Sequence, residues 1–320
     1  MLKKLSIFFY ACGFGVFCVS AANADVLALE DALRATYVSC VGIDNKLSDL
    51  KTMAGINTAV TGVGTALGAG ATVVGIVKAN KDNRIAELEK ELEKLHDIQA
   101  DNSFNAPDRQ ELLGIVDAYY EENKNPNKEI EDEIEKLTDQ SKTLGNWRTG
   151  LMAGNTTTNI AGAIIAGNNK VDDDLQKNID NCRAAVEDLR QSIPRARVEG
   201  ADQSMLSEAN EIISACSEYD FVDISPINNR AKGAMISSII GATTGVVGTV
   251  TSAVANTDKT RNDNSESGKQ KEKNLNTAAN VLAGASTAAS GVATVFNATQ
   301  ISAIKKVVSV AQKCEGVLVQ

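Results

Sequence analysis

The sequence has one histidine, four prolines and 4% aromatic residues in 320, and each scarcity excludes something. So few aromatics leave no stacking platform for unpaired bases. Forty-one acidic against 32 basic side chains give a net charge of -9, the wrong sign for gripping phosphates. Nucleic acid is therefore not expected as a partner. The lone His96 sits in a charged stretch beside Leu95, with Glu93 and Asp97 nearby, and lacks the orienting partner and pocket of a general base. No Gly-x-Ser-x-Gly occurs, and Gly268-Lys269 has no upstream glycine to make a phosphate loop. Gly62-Val-Gly64-Thr-Ala-Leu-Gly68 is one residue too long for a dinucleotide fingerprint, and no strand precedes it. Asp172-Asp173-Asp174 lacks the alternation and glycine of a calcium loop and reads as a helix start. No catalytic residue, cofactor, metal or small-molecule substrate is assigned, and the protein is not expected to be an enzyme.

What is present begins with targeting. Lys3 and Lys4 precede an apolar run from Leu5 to Val19, shorter than the roughly 20 residues of a membrane span, and Ala22-Asn23-Ala24 is a small-x-small cleavage signal. Residues 1–24 read as a signal peptide, so the protein is expected to be exported across the inner membrane, periplasmic or secreted. Four cysteines remain, Cys40, Cys182, Cys216 and Cys314, in a compartment where disulfides persist. Their separations run to dozens of residues, unlike the short spacings of zinc ligands.

Four stretches carry no charged residue: Thr52 to Val77, Thr149 to Asn169, Gly233 to Thr257 and Asn274 to Ile304. Gly, Ala, Ser and Thr dominate them, and they hold 16 of the 24 glycines, away from the turns where glycine usually sits. Their periodicity is helical. In the first, Met53, Ile56, Val60, Val63, Leu67, Val74 and Val77 form a heptad stripe, and Asn57, Thr58, Thr61, Thr65, Gly68, Thr72 and Gly75 form the opposite face. Gly62, Gly64, Gly68 and Gly70, with Gly241, Gly245 and Gly248 in the third stretch, are expected to let helices approach closely. Thr61-Gly-Val-Gly-Thr65 has a near echo in Thr244-Gly-Val-Val-Gly-Thr249, which suggests an internal duplication.

Beyond the first stretch Ile85, Leu88, Leu92 and Leu95 read as a coiled-coil seam answered by Ile130, Ile134, Leu137 and Leu144. The four prolines are expected between helices, with Asn125-Pro126 and Ser225-Pro226 as caps followed by the first helical residue. The polar run Asp258 to Lys273 is expected to be a solvated loop. In an antiparallel hairpin, opposed residues have a nearly constant index sum. By that measure all four cysteines arrive at one level, within about one helical turn. Two neighbour pairings follow: Cys40 with Cys182 and Cys216 with Cys314, or Cys182 with Cys216 and Cys40 with Cys314.

The expected fold is all-α: an elongated, antiparallel, up-down-up-down four-helix bundle with Gly/Ala/Thr-rich packing. Residues 25–199 would form the first hairpin, with a coiled-coil tip at about 80–145, and residues 200–320 the second. The expected function is that of an exported structural or interaction module that associates with itself or another protein. The alternative is a membrane-inserting or pore-forming protein, since a 26-residue uncharged helix reaches about 39 Å, enough to cross hydrocarbon. A water-packed bundle would be released from membranes by a carbonate wash.

Overall fold

The computed structural model describes residues 24–100, 126–261, 263 and 265–319, and every regular element among them is helical. The expected signal peptide and residues 101–125 of the tip, Asn125 among them, lie outside the described residues. In chain order the helices are α1 (Ala24–Cys40), α2 (Ile43–Ala100), α3 (Pro126–Asn168), α4 (Asp173–Val198), α5 (Gln203–Cys216), a 3-10 turn (Ser217–Phe221), α6 (Ser225–Ala255), α7 (Asp258–Arg261) and α8 (Glu266–Leu318). The chain is thus all-helical, with long helices packed on one another. It has more than four helices and divides into two compact units.

The first unit contains residues 24–48, 172–223 and 306–319. Its helices are amphipathic in the ordinary sense for a protein in water. On α4, Leu175, Ile179, Val186, Leu189 and Ile193 are buried with three-four spacing, and on α5 Leu206, Ala209 and Ile212 are. Asp172 caps α4, accepting from the Leu175 amide at 2.7 Å, which places the acidic triplet at a helix start. Pro194 lies inside α4 near its end, not between helices. Gly42 (φ +88°) and Gly200 (φ +85°) take the left-handed backbone that the turns after α1 and α4 require. α1 packs against α4, and Thr36 donates to the Ala185 carbonyl at 3.2 Å.

Both disulfides fall in this unit. Cys40 pairs with Cys182 and Cys216 with Cys314, at Cα separations of 4.8 and 4.5 Å. This is the first of the two neighbour pairings. The Cys40, Cys182 and Cys314 sulfurs lie within 4.8 Å of one another, so the cysteines do arrive at one place.

The second unit contains residues 49–171 and 224–305. Here α2, α3, α6 and α8 contact one another through glycines. Gly64 of α2 faces Thr158 of α3, and Gly70 faces Leu151; on α6, Gly241 faces Asn159 of α3 and Gly248 faces Leu282 of α8. Towards the charged end Leu88 is buried, while Ile85, Leu92, Ile130, Ile134, Leu137 and Leu144 are half-buried; the side chain of Leu95 is not among those described. Two local expectations are corrected. The run 258–273 is not a loop: after α7 the Ser265 hydroxyl accepts from the Gly268 amide at 3.0 Å and caps α8, and Lys269 reaches Glu89 at 2.7 Å. Nor is Ser225 a cap; Ile224 holds that position and Ser225 begins α6.

Peptide mapping without reductant is expected to recover Cys40–Cys182 and Cys216–Cys314. Replacing Cys182 by Ala should lower the denaturation free energy of the first unit by about 2–5 kcal/mol, read from urea titration.

Candidate functional site

A helix that packs in water turns its apolar stripe inward. The second unit does the reverse. Along the uncharged stretch of α2 the buried positions are Ala54, Asn57, Thr61, Gly64, Gly68, Ala71 and Gly75, whereas Met53, Ile56, Val63, Val73, Ile76 and Val77 are exposed. The Asn/Thr/Gly face of the sequence is the interior, and most of the heptad stripe looks outward. The same inversion holds on α6, where Ser238, Gly241, Gly245, Gly248 and Ser252 are buried and Ile239, Ile240, Val247 and Val250 are half or more exposed or nearly so. On α3 and α8, Ile164 is 61% and Val295 63% exposed, while Asn159 and Asn297 are completely buried.

Burying amides and hydroxyls costs least when they are bonded, and most of the interior's polar side chains lie in bonded layers, although Asn57 Oδ1 and Ser238 Oγ are buried without a hydrogen-bond partner. In one layer Asn57 donates to Asn297 at 2.9 Å, and Asn297 reaches Thr61 at 3.4 Å. In the next, Asn155 donates to Ser286 at 2.9 Å and Ser286 to the Gly241 carbonyl at 2.7 Å. Ser290 lies 3.0 Å from both the Asn155 and Asn159 side-chain oxygens and accepts from Asn159 at 2.8 Å. Further along, the buried Arg148 guanidinium donates to Ser252 at 2.9 Å, Asn280 at 3.1 Å and Asn276 at 2.9 Å. Beyond Arg148, Lys78 binds Asp82 at 2.6 Å and lies 3.8 Å from Glu272, and Ser141 also donates to Asp82. At the other end Gln300 donates to the Asn169 carbonyl at 2.8 Å.

Glycine makes these approaches possible. A Cβ on Gly241 would lie 2.8 Å from Asn159 and one on Gly162 2.8 Å from Thr61; Gly64, Gly68, Gly245 and Gly248 are closed still more tightly by Thr158, Thr287, Thr156 and Met152. Gly70 makes ordinary contact with Leu151 at 3.5 Å, and Gly62 has no neighbour within 4 Å, so it is not a packing glycine in this structure. Sequence reasoning missed Gly75, Gly162, Asn159, Ser290 and Arg148. The signal was available: Asn57, Thr61, Gly64, Gly68, Ala71 and Gly75 recur every three or four residues, a repeat as regular as the apolar one.

Exposed and half-buried threonines on these helices satisfy themselves. Thr58, Thr157, Thr243, Thr251 and Thr299 each donate to the carbonyl four residues earlier, at 2.8 to 3.0 Å. Three stretches, Asp25–Lys94, Ser225–Ala255 and Glu266–Leu318, are long and apolar enough to cross a membrane, and in their most apolar windows only 28%, 33% and 28% of residues are buried. His96 is exposed. The three clustered sulfurs are all engaged in disulfides.

The described residues form an all-helical structure with two disulfides and a largely hydrogen-bonded polar interior. The sequence matches no protein-family model, and neither a curated protein nor a solved structure matches the chain.

Ser290→Ala should weaken the second unit by about 1–3 kcal/mol, because it strips partners from two buried amides. Val250→Ala, on the outer face, should change stability by less than about 0.5 kcal/mol in detergent. Denaturant titration of the two variants in the same detergent compares them directly.

Proposed function

We propose that the protein is an exported, non-enzymatic helical protein that works embedded in a lipid bilayer. Its second unit would span the hydrocarbon as an antiparallel four-helix bundle, and its disulfide-bonded first unit would face an oxidising compartment. The observation that carries this reading is the inverted polarity of α2, α3, α6 and α8. Ile and Val are frequent on the outside, and the inside is filled by Ala and Gly together with Asn, Ser, Thr and the two cations Lys78 and Arg148. In water such an exterior would be a continuous apolar patch far beyond what soluble monomers expose. In lipid it is the favourable surface, and helices are held instead by small-residue packing and interhelical hydrogen bonds.

Three further observations support it. The uncharged stretches run 21 to 31 residues by sequence position, or about 32 to 46 Å as helix, which matches a hydrocarbon core. The segment Asn155-Thr-Thr-Thr-Asn159, a poor lipid neighbour as sequence, turns both asparagines and Thr156 inward, and Thr157 bonds its own helix. Trp147, 65% exposed just before the uncharged stretch of α3, would serve as an interfacial aromatic in this reading. Direct side-chain bonds between helices favour a packed structural span over an open pore. The reading reverses the expectation of a water-packed bundle.

Membranes from the native host, washed with alkaline carbonate, should retain the protein in the pellet. Release into the supernatant, with solubility maintained without detergent, would instead mean that other copies of the chain cover the apolar faces. Val247→Lys should reduce retention several-fold, since a lysine at mid-span costs roughly 2.5–3.5 kcal/mol.

A further inference from the structure

The two disulfides are near neighbours. Cys40–Cys182 joins α1 to α4 and Cys216–Cys314 joins α5 to α8, and the sulfurs of Cys40, Cys182 and Cys314 lie within 4.8 Å of one another. All four cysteines are at most 1% exposed, so the trio is shut off from solvent. Contacts other than the bonds themselves hold it together. Thr36 donates to the Ala185 carbonyl at 3.2 Å and keeps α1 on α4. Near the end of α8 the Gly42 amide donates to Glu315 at 3.3 Å, Lys313 pairs with Glu218 at 2.5 Å, and Val307, Val308 and Ala311 are buried. Cys314 is therefore held beside the Cys40–Cys182 bond even when its own bond is open.

A thiolate exchanges with a disulfide by attacking one of its sulfurs, at a rate set partly by access to that sulfur. We propose that the four cysteines act as one exchange relay, in which Cys314 passes an opening of the Cys216–Cys314 bond on to Cys40–Cys182. The co-reactant is an external dithiol. Its first thiolate attacks the Cys216 sulfur, forming a mixed disulfide and releasing the Cys314 thiolate. Cys314 attacks Cys40: a Cys40–Cys314 bond forms, the Cys40–Cys182 bond breaks, and Cys182 leaves as a thiolate that takes up a proton. The second thiol of the reductant then attacks the mixed disulfide, so the reductant departs oxidised and Cys216 is left as a thiol. One dithiol has been oxidised, one protein disulfide has been lost, and the surviving bond is one that the intact protein lacks. Attack on Cys182 in place of Cys40 gives Cys182–Cys314 by the same count. The reductant enters only through a local opening, because every sulfur is buried, and the relay makes one opening sufficient to reach both bonds. The same contact lets a chain that first closes a wrong pair within the trio correct it while one cysteine is still a thiol. The relay does not depend on the bilayer reading.

Limited reduction tests it. The full-length, oxidised protein, treated at mildly alkaline pH with less dithiothreitol than it has disulfides, quenched in acid and mapped without reductant, should yield peptides joined through Cys40–Cys314 or Cys182–Cys314. Absence of both peptides would overturn the proposal. Two variants separate the relay from a general loosening of the unit, since each lacks the same disulfide. Cys216→Ala leaves Cys314 as the free thiol within the trio and should lose much of its Cys40–Cys182 bond to Cys314-linked pairs. Cys314→Ala leaves Cys216, which is not of the trio, and should show several-fold less mispairing. Equal scrambling in the two variants would mean that any freed thiol attacks a loosened unit, and would overturn the relay. So would a Cys216→Ala protein that keeps Cys40–Cys182 intact with Cys314 fully open to alkylation.

Discussion

Buried amides govern the second unit. An asparagine removed from water must find both a donor and an acceptor, and the side chain is too short to search far. Asn155 and Asn159 meet Ser286 and Ser290 only because α3 and α8 come close, and Asn159 can lie against α6 only because Gly241 has no side chain. The glycines and the amides are therefore one device. A methyl group at Gly241 would displace Asn159, and loss of Asn159 would leave Ser290 short of a donor. Arg148 extends the rule to charge: three neutral oxygens from α6 and α8 receive a guanidinium that the interior could not otherwise hold.

The first unit solves the same problem differently. Its helices bury Leu, Ile and Val in the familiar way and are cross-linked by sulfur where the polar unit is cross-linked by hydrogen bonds. The covalent links also collect side chains that would otherwise be strangers. Gly42 and Glu315 lie far apart in the sequence, and the Gly42 amide donates to the Glu315 carboxylate at 3.3 Å beside the cysteines that meet there.

Much of this was legible beforehand. Helical periodicity, the absence of strand patterns and the uncharged stretches were sufficient for an all-helical chain, and antiparallel register was sufficient to bring the four cysteines to one level. Which face of a helix would be inside was not legible from Met53, Ile56 and Val63 alone. An apolar stripe and a Thr/Gly face satisfy the same periodicity, and the choice between them depends on the solvent, which the sequence does not state. The helical start at Glu266 was hidden by composition: Asp263 to Lys273 looks like a solvated loop until Ser265 is seen as a cap. The contact of the Gly42 amide with Glu315 had no sequence signal, because 273 positions separate the two residues.

The disulfides enclose 142 and 98 positions, each one joining the start of a long excursion to its return. Neither sulfur bond can close until everything between its cysteines has been made and has doubled back. In a chain made from its amino end, the Cys40–Cys182 bond can form before Cys216 and Cys314 exist, whereas the Cys216–Cys314 bond must wait for Cys314. The two bonds therefore become possible in order along the chain, Cys40–Cys182 first and Cys216–Cys314 second.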